Sequence, residues 1–170
     1  TILDKRAQPN GQAAPSGYHI YISNGRVGFQ MGDGSTFSNF TAPSPLVNDG
    51  QPHFIAVVVK RCRPAFGNIY VDGQLVHTFT PIISNLSNSA NLLIGKRHAA
   101  LTANYFNGVV DELEIFKTAL SAADLNAIYA AGSAGKCKNN CEPKACDTPG
   151  FDPPVYYTGG TNLVAIALGN

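Results

Sequence analysis

Tryptophan is absent from this chain and methionine occurs once. The first absence removes the side chain best suited to stacking on a sugar ring, which weighs against a carbohydrate-cleaving site. Charge is scarce too: Asp, Glu, Lys and Arg make up 14% of 170 residues, against roughly 25% in an average soluble domain. Twelve basic residues nearly cancel eleven acidic ones. A basic field able to hold a nucleic-acid backbone is therefore excluded, as is an acidic tail that imitates one. No apolar run approaches the roughly 20 residues that cross a bilayer, so no membrane insertion is expected. No Cys-x-x-Cys pair occurs, and the histidines, His19, His53, His77 and His98, are scattered.

What is present points to a β protein. Hydrophobic residues reach 44%, enough for a core, and the length suits one domain. Seventeen glycines and eleven prolines imply many turns and little room for long helices. With abundant Ser, Thr, Asn and Gly and four cysteines, the composition suits an extracellular or cell-envelope protein. Cys137 and Cys141 could supply half of a zinc site, but the second half is missing, and disulfides are the better reading. Cys62 is expected to bond Cys137 or Cys146, leaving the other two of Cys137, Cys141 and Cys146 to pair. Asn39-Phe40-Thr41 and Asn85-Leu86-Ser87 match the glycosylation pattern, though such triplets arise by chance in so Asn-rich a chain.

Strand signals come in pairs. Residues 18–22 and 26–31 flank Asn24-Gly25, and residues 68–71 and 74–79 flank Asp72-Gly73. Both dipeptides tolerate positive φ at the two central positions of a type I′ turn, so two hairpins are predicted. A short strand is placed near residues 38–41 and another at 91–95. Residues 54–59, Phe-Ile-Ala-Val-Val-Val, read as a central strand covered on both faces. Residues 106–116 read as the longest strand. One helix is credible: Ser121 can cap it with Asp124 three residues on, Ala122, Leu125, Ile128 and Tyr129 follow at helical spacing, and Gly132 can end it. Residues 139–160 are a Cys/Pro-rich linker by composition, and residues 161–170 hold a last β-like segment. The result is an all-β antiparallel sandwich with one short helix. Its expected core includes Ile55, Val57, Val59, Ile69, Val71, Leu93, Val110, Leu113 and Ile115.

Four segments resemble a known family. Asp49-Gly50-Gln51-Pro52-His53-Phe54 and the apolar run after it resemble the "DGQWHHVAVVV" strand of laminin G-like, concanavalin A-like jelly rolls. Tyr70-Val71-Asp72-Gly73-Gln74-Leu75-Val76 resembles their "YVDGQLV" hairpin, and Leu92-Leu93-Ile94-Gly95 their "PLLIG". Residues 105–125 resemble "YFNGLIDEVRIYNRALSAAEI". The resemblance covers about residues 1–138 and is closest to modules of large secreted bacterial proteins. Pro52 stands where the family has Trp. The resemblance also implies that several strands normally preceding Thr1, including an acidic "DGxxDY" segment, lie outside this chain. Residues 160–169 resemble the opening of a regulator-of-chromosome-condensation propeller repeat, which implies an internal piece of a modular protein.

The carboxylates carry the chemical options. In a strand, Glu112 and Glu114 would share one face roughly 6–7 Å apart, a separation suited to glycosidase acids. The plainer reading makes them the solvated side of a half-buried strand, with Asp111 pointing inward beside Leu113 and Ile115. For Asp111 the resemblance implies a role in holding loop backbone, or in binding Ca²⁺ with the missing opening segment, the calcium wanting six to eight oxygens in all. Asp33, between two glycines, is either a turn residue or a rim contact to calcium or ligand. Tyr105 and Asn107 lie on an expected loop rim, where an exposed aromatic could stack on a sugar. The expectation is thus a non-catalytic extracellular binding or adhesion module contacting glycan or protein through loop rims. The alternative is a structural or filament-forming module completed by strand addition, with residues 162–168 as donor in cis or to a second copy. A glycoside hydrolase remnant ranks last.

Overall fold

A computed structural model describes residues 1–8, 13–98 and 105–132, together with the backbone of residues 162–163. Both predicted hairpins form where the turn chemistry places them. Strands β2 (Ser16–Ser23) and β3 (Arg26–Asp33) pair from Ser23↔Arg26 to Ser16↔Asp33. Asn24 and Gly25 between them have φ of 50° and 74°, the left-handed pair that a type I′ turn requires. Strands β6 (Phe66–Val71) and β7 (Gln74–Phe79) are joined by Asp72 and Gly73 at φ 51° and 76°.

Strands β1 (Leu3–Asp4), β4 (Phe37–Thr41), β5 (Ile55–Lys60), β8 (Leu93–Ile94) and β9 (Asn162–Leu163) complete two antiparallel sheets. Their orders are β4-β3-β2-β1-β8 and β7-β6-β5-β9. Alternation along each strand sends one row of side chains between the sheets. Ile2, Leu3, Ile20, Val27, Phe29 and Met31 meet Ile55, Val57, Val59, Ile69 and Val71 there. The rings of Phe29, Phe40 and Phe79 close one end, with Phe40 and Phe79 stacked at 4.0 Å.

The outer face of the four-stranded sheet has its own apolar layer. Phe54, Ala56, Val58 and Tyr70 cover Leu125, the buried residue of helix α1 (Ala122–Ala131). The continuous apolar run of β5 is thereby explained: odd residues face the other sheet, even residues face the helix. The helix starts in a capping box, with the Ser121 N–H donating to Asp124 Oδ2 at 2.9 Å and the Asp124 N–H to Ser121 Oγ at 3.2 Å. It seats on the second hairpin turn, where a Cβ at Gly73 would lie 2.7 Å from Asn126 Oδ1.

Residues 106–116 correct the expectation of a longest strand. They run extended along the core without joining a ladder among the described residues. Asp111 is exposed rather than inward, and its Oδ1 accepts the Glu112 N–H at 2.8 Å. Glu112 is in the left-handed region at φ 48°, which breaks the period-2 alternation there. Glu112 and Glu114 therefore do not share one strand face: the first is exposed, the second half-buried. Val110, Leu113 and Ile115 pack on the core but stay half-buried, as does Leu93 in a strand shortened to two residues. For residues 106–116 the cause is a missing ladder: a strand needs backbone partners, and none of the described strands pairs with this segment. Cys62 is exposed just after β5. Cys137, Cys141 and Cys146, and with them the expected disulfide pairing, lie outside the described residues.

Candidate functional site

At one rim of the sandwich, two loops enclose a cleft of about 580 Å³. Residues 47–53 form one wall and residues 105–109 the other, with Ile22 and Ile55 among the floor residues. The first loop is fixed at both ends. Its Val47 N–H donates to the Gly25 carbonyl at 2.7 Å, and Asn48 lies so close to Gly25 that any Cβ there would strike its side chain. At the far end His53 bridges two carboxylates, with Nδ1 2.8 Å from Asp72 Oδ2 and Nε2 3.0 Å from Asp49 Oδ1. Asp72 Oδ1 also accepts the Phe54 N–H at 2.9 Å, which ties the turn after β6 to the start of β5. Burial opposes the charge on His53, but Asp72 and then Asp49 more than offset it and raise its pKa above the usual histidine value.

The second wall hangs from β8. The Phe106 N–H donates to the Gly95 carbonyl at 2.8 Å, and Lys96 and Tyr105 form an antiparallel bridge. Phe106 turns into the core, whereas Tyr105 is 68% exposed. Lys96 Nζ sits 5.9 Å from the Tyr105 ring centroid. The cleft thus combines an exposed aromatic ring with the amides of Asn48, Gln51 and Asn107 and one histidine held between acids. Volume and mixture both fall within the range of small-ligand sites.

The structure brings Tyr105 and Asn107 together and adds Asn48, Gln51 and His53. Asp33 stands elsewhere, at the end of β3, where its Oδ1 accepts the N–H groups of Ser35 and Thr36 at 3.0 and 2.8 Å. Those bonds hold its carboxyl below the usual range. Asp111 is likewise outside the cleft lining. Among the described residues no group of three or more His, Cys, Asp or Glu is placed to hold a metal ion.

A family model described as the concanavalin A-like lectin/glucanases superfamily, in its laminin G-like branch, matches residues 2–126. The chain belongs to that family. Neither curated proteins nor solved structures gave a match. The span of the laminin G-like match takes in both cleft walls and the first half of α1.

One polar cluster of this laminin G-like domain escaped the reading of its residues. On the outer side of the five-stranded sheet, Asp4, Arg6 and His19 are buried, at 1%, 2% and 6% exposure. Arg6 Nε and Nη2 donate to Asp4 Oδ1 and Oδ2 at 2.8 and 2.7 Å, and its Nη1 donates to Gln30. The Arg6 and His98 N–H groups add bonds of 3.0 and 3.1 Å to Asp4. Burial opposes ionisation of Asp4, yet Arg6 and these donors hold its carboxyl below the usual range. Burial and the Arg6 charge push His19 down to about 3. With both oxygens engaged fourfold, Asp4 has no lone pair left for acid or base work. The available signal was Asp4-Lys5-Arg6: two opposite charges at i, i+2 share a strand face.

Proposed function

We propose that this laminin G-like domain is a non-catalytic binding module of an extracellular protein, and that the cleft between residues 47–53 and 105–109 contacts a glycan. One observation carries this reading. Tyr105 stands exposed in a cleft otherwise lined by amides, a histidine, Thr1, the core-packed Phe106 and aliphatic groups. A ring supplies the face on which a sugar's C–H groups pack, and amides supply donors and acceptors for hydroxyls. Catalysis by paired carboxylates finds no support in this cleft, because its lining contains neither Asp nor Glu.

The test is a glycan array with residues 1–170, read with and without Ca²⁺, beside the Tyr105→Ala variant. A glycan that binds the parent chain and loses roughly tenfold or more in affinity with Tyr105→Ala supports the reading. Binding that survives Tyr105→Ala moves the site elsewhere, and a blank array under both conditions ends the glycan assignment. Binding only with Ca²⁺ would support the calcium role that the resemblance implies.

A further inference from the structure

Strand β5 is the most deeply buried strand of its sheet, and one of its sides has too little on it. Strand β6 pairs along its whole length, from Ile55↔Val71 to Lys60↔Phe66. On the other side only Val59 and Lys60 have described partners, Leu163 and Asn162 of β9. Yet Ile55 to Val59 are each 3% exposed or less. A strand whose backbone edge meets water keeps more accessible surface than that, so some chain lies along it.

The path of residues 106–116 shows the shape of the slot. Phe106 and Val109 share the rim cleft with Ile55 at one end of β5. Ala119 and Leu120 share a second cleft with Lys60 at the other end. Between them Val110, Leu113 and Ile115 pack on the inter-sheet core, and Phe116 touches the apolar layers on both faces of β5. This segment therefore runs beside β5 in the same direction, with no ladder joining the two among the described residues.

We propose that residues 162–168 of the same chain fill this slot as a single strand antiparallel to β5. Residues 164–168 lie outside the described residues; their sequence and the register of β9 carry the inference. Continued from Val59↔Leu163, that register sets Ala165 opposite Val57 and Ala167 opposite Ile55. Directly opposed residues share a face. Leu163, Ala165 and Ala167 then face the inter-sheet core, and Val164, Ile166 and Leu168 face the helix. Positions 163–168 are all apolar, as a strand buried on both faces requires. The small residues fall on the face toward the filled inter-sheet core, and the large ones on the face covered by α1 with Phe116, Ala119 and Leu120. Residues 133–161 can reach up to ~95 Å, so return from the helix end to the slot is easy in cis. The tether gives the chain's own strand a concentration advantage over a second copy.

Hydrogen exchange by mass spectrometry on residues 1–170, with light scattering, tests this. The expected result is a monomer in which residues 54–60 and 162–168 are both protected. Ala165→Pro and Ile166→Pro remove adjacent N–H groups, which point to opposite sides of a strand. A strand flanked on both sides loses a bond in either case, so each variant should speed exchange in residues 54–60 by roughly tenfold or more. If only one proline acts, 162–168 is an outer edge and the slot is wrong. If 162–168 exchanges at the free-chain rate in the parent protein, the assignment falls without any variant. A concentration-dependent dimer that either proline dissolves would transfer the strand to a second copy and overturn the cis arrangement.

Discussion

Two histidines in this molecule sit beside carboxylates and meet opposite fates. His53 lies at the rim between Asp49 and Asp72, and its pKa rises. His19 lies under the five-stranded sheet near Asp4, and its pKa falls to about 3. The difference is first one of burial, which is much deeper at His19, and then of who owns the carboxylate. Asp72 and Asp49 offer oxygens to His53 directly, in a place that water still reaches. Asp4 is already bound bidentately by Arg6, so His19 meets burial and the guanidinium charge rather than a free acceptor. Asp4 still pulls the pKa of His19 upward, but deep burial and the Arg6 charge outweigh it.

The largest break in that comparison is Arg6→Ala. It leaves a buried Asp4 carboxylate uncompensated, and stability should fall by about 3–5 kcal/mol in urea denaturation. The double replacement Asp4→Leu with Arg6→Met removes both charges and should recover most of that loss. A single and a double variant of equal stability would mean that the pair is not buried as the structure has it.

Acid should act next, through His19. Its folded pKa of about 3 lies below the unfolded value near 6.5, so the unfolded chain binds the extra proton first. Stability is therefore full above pH 6.5 and declines as pH falls toward 3. Replacing His19 by Gln should flatten that slope, read from denaturation midpoints at pH 7, 5 and 4. An unchanged slope would assign acid sensitivity to other groups.

The smallest effect belongs to His53, with the opposite sign. A raised folded pKa gives stability present below pH 6.5 and lost as pH rises through the folded value. His53→Gln should cost about 1 kcal/mol or less at pH 6 and almost nothing at pH 8.5. A loss that grows with pH would show that His53 serves as a neutral hydrogen-bonding group.

The hairpins and the missing strand show what residues alone can disclose. Asn24-Gly25 and Asp72-Gly73 are local instructions: their dihedral preference joins adjacent strands without help from distant chain. The Ser121–Asp124 box is local as well. Residues 106–116 carry an equally strong strand pattern, yet pattern states only which side chains want cover. Pairing depends on a neighbour, and among the described residues no strand pairs with this segment. The site follows the same division. Tyr105 and Asn107 were legible as rim residues from Asn107-Gly108 and the exposed aromatic. Asn48, Gln51 and His53 come to face them through the fold, across more than fifty residues of sequence, and no local signal announces that.

The burial of β5 also bears on what happens before the chain is folded. Residues 54–59 are uncharged, free of glycine and proline, and rich in β-branched side chains. Six such residues in a row are a template for cross-β association whenever they are exposed. Their flanks are unlike them: Pro52 and His53 precede the run, and Lys60, Arg61 and Arg63 follow within a few residues. Proline and like charges at the ends of such a segment oppose stacking of one copy on the next. The β6 strand that first covers the run begins at Phe66, only a short loop away, so the hairpin can shield one edge soon after synthesis. Protection of the other edge must wait for chain made much later, and during that interval the basic flank is the guard against aggregation.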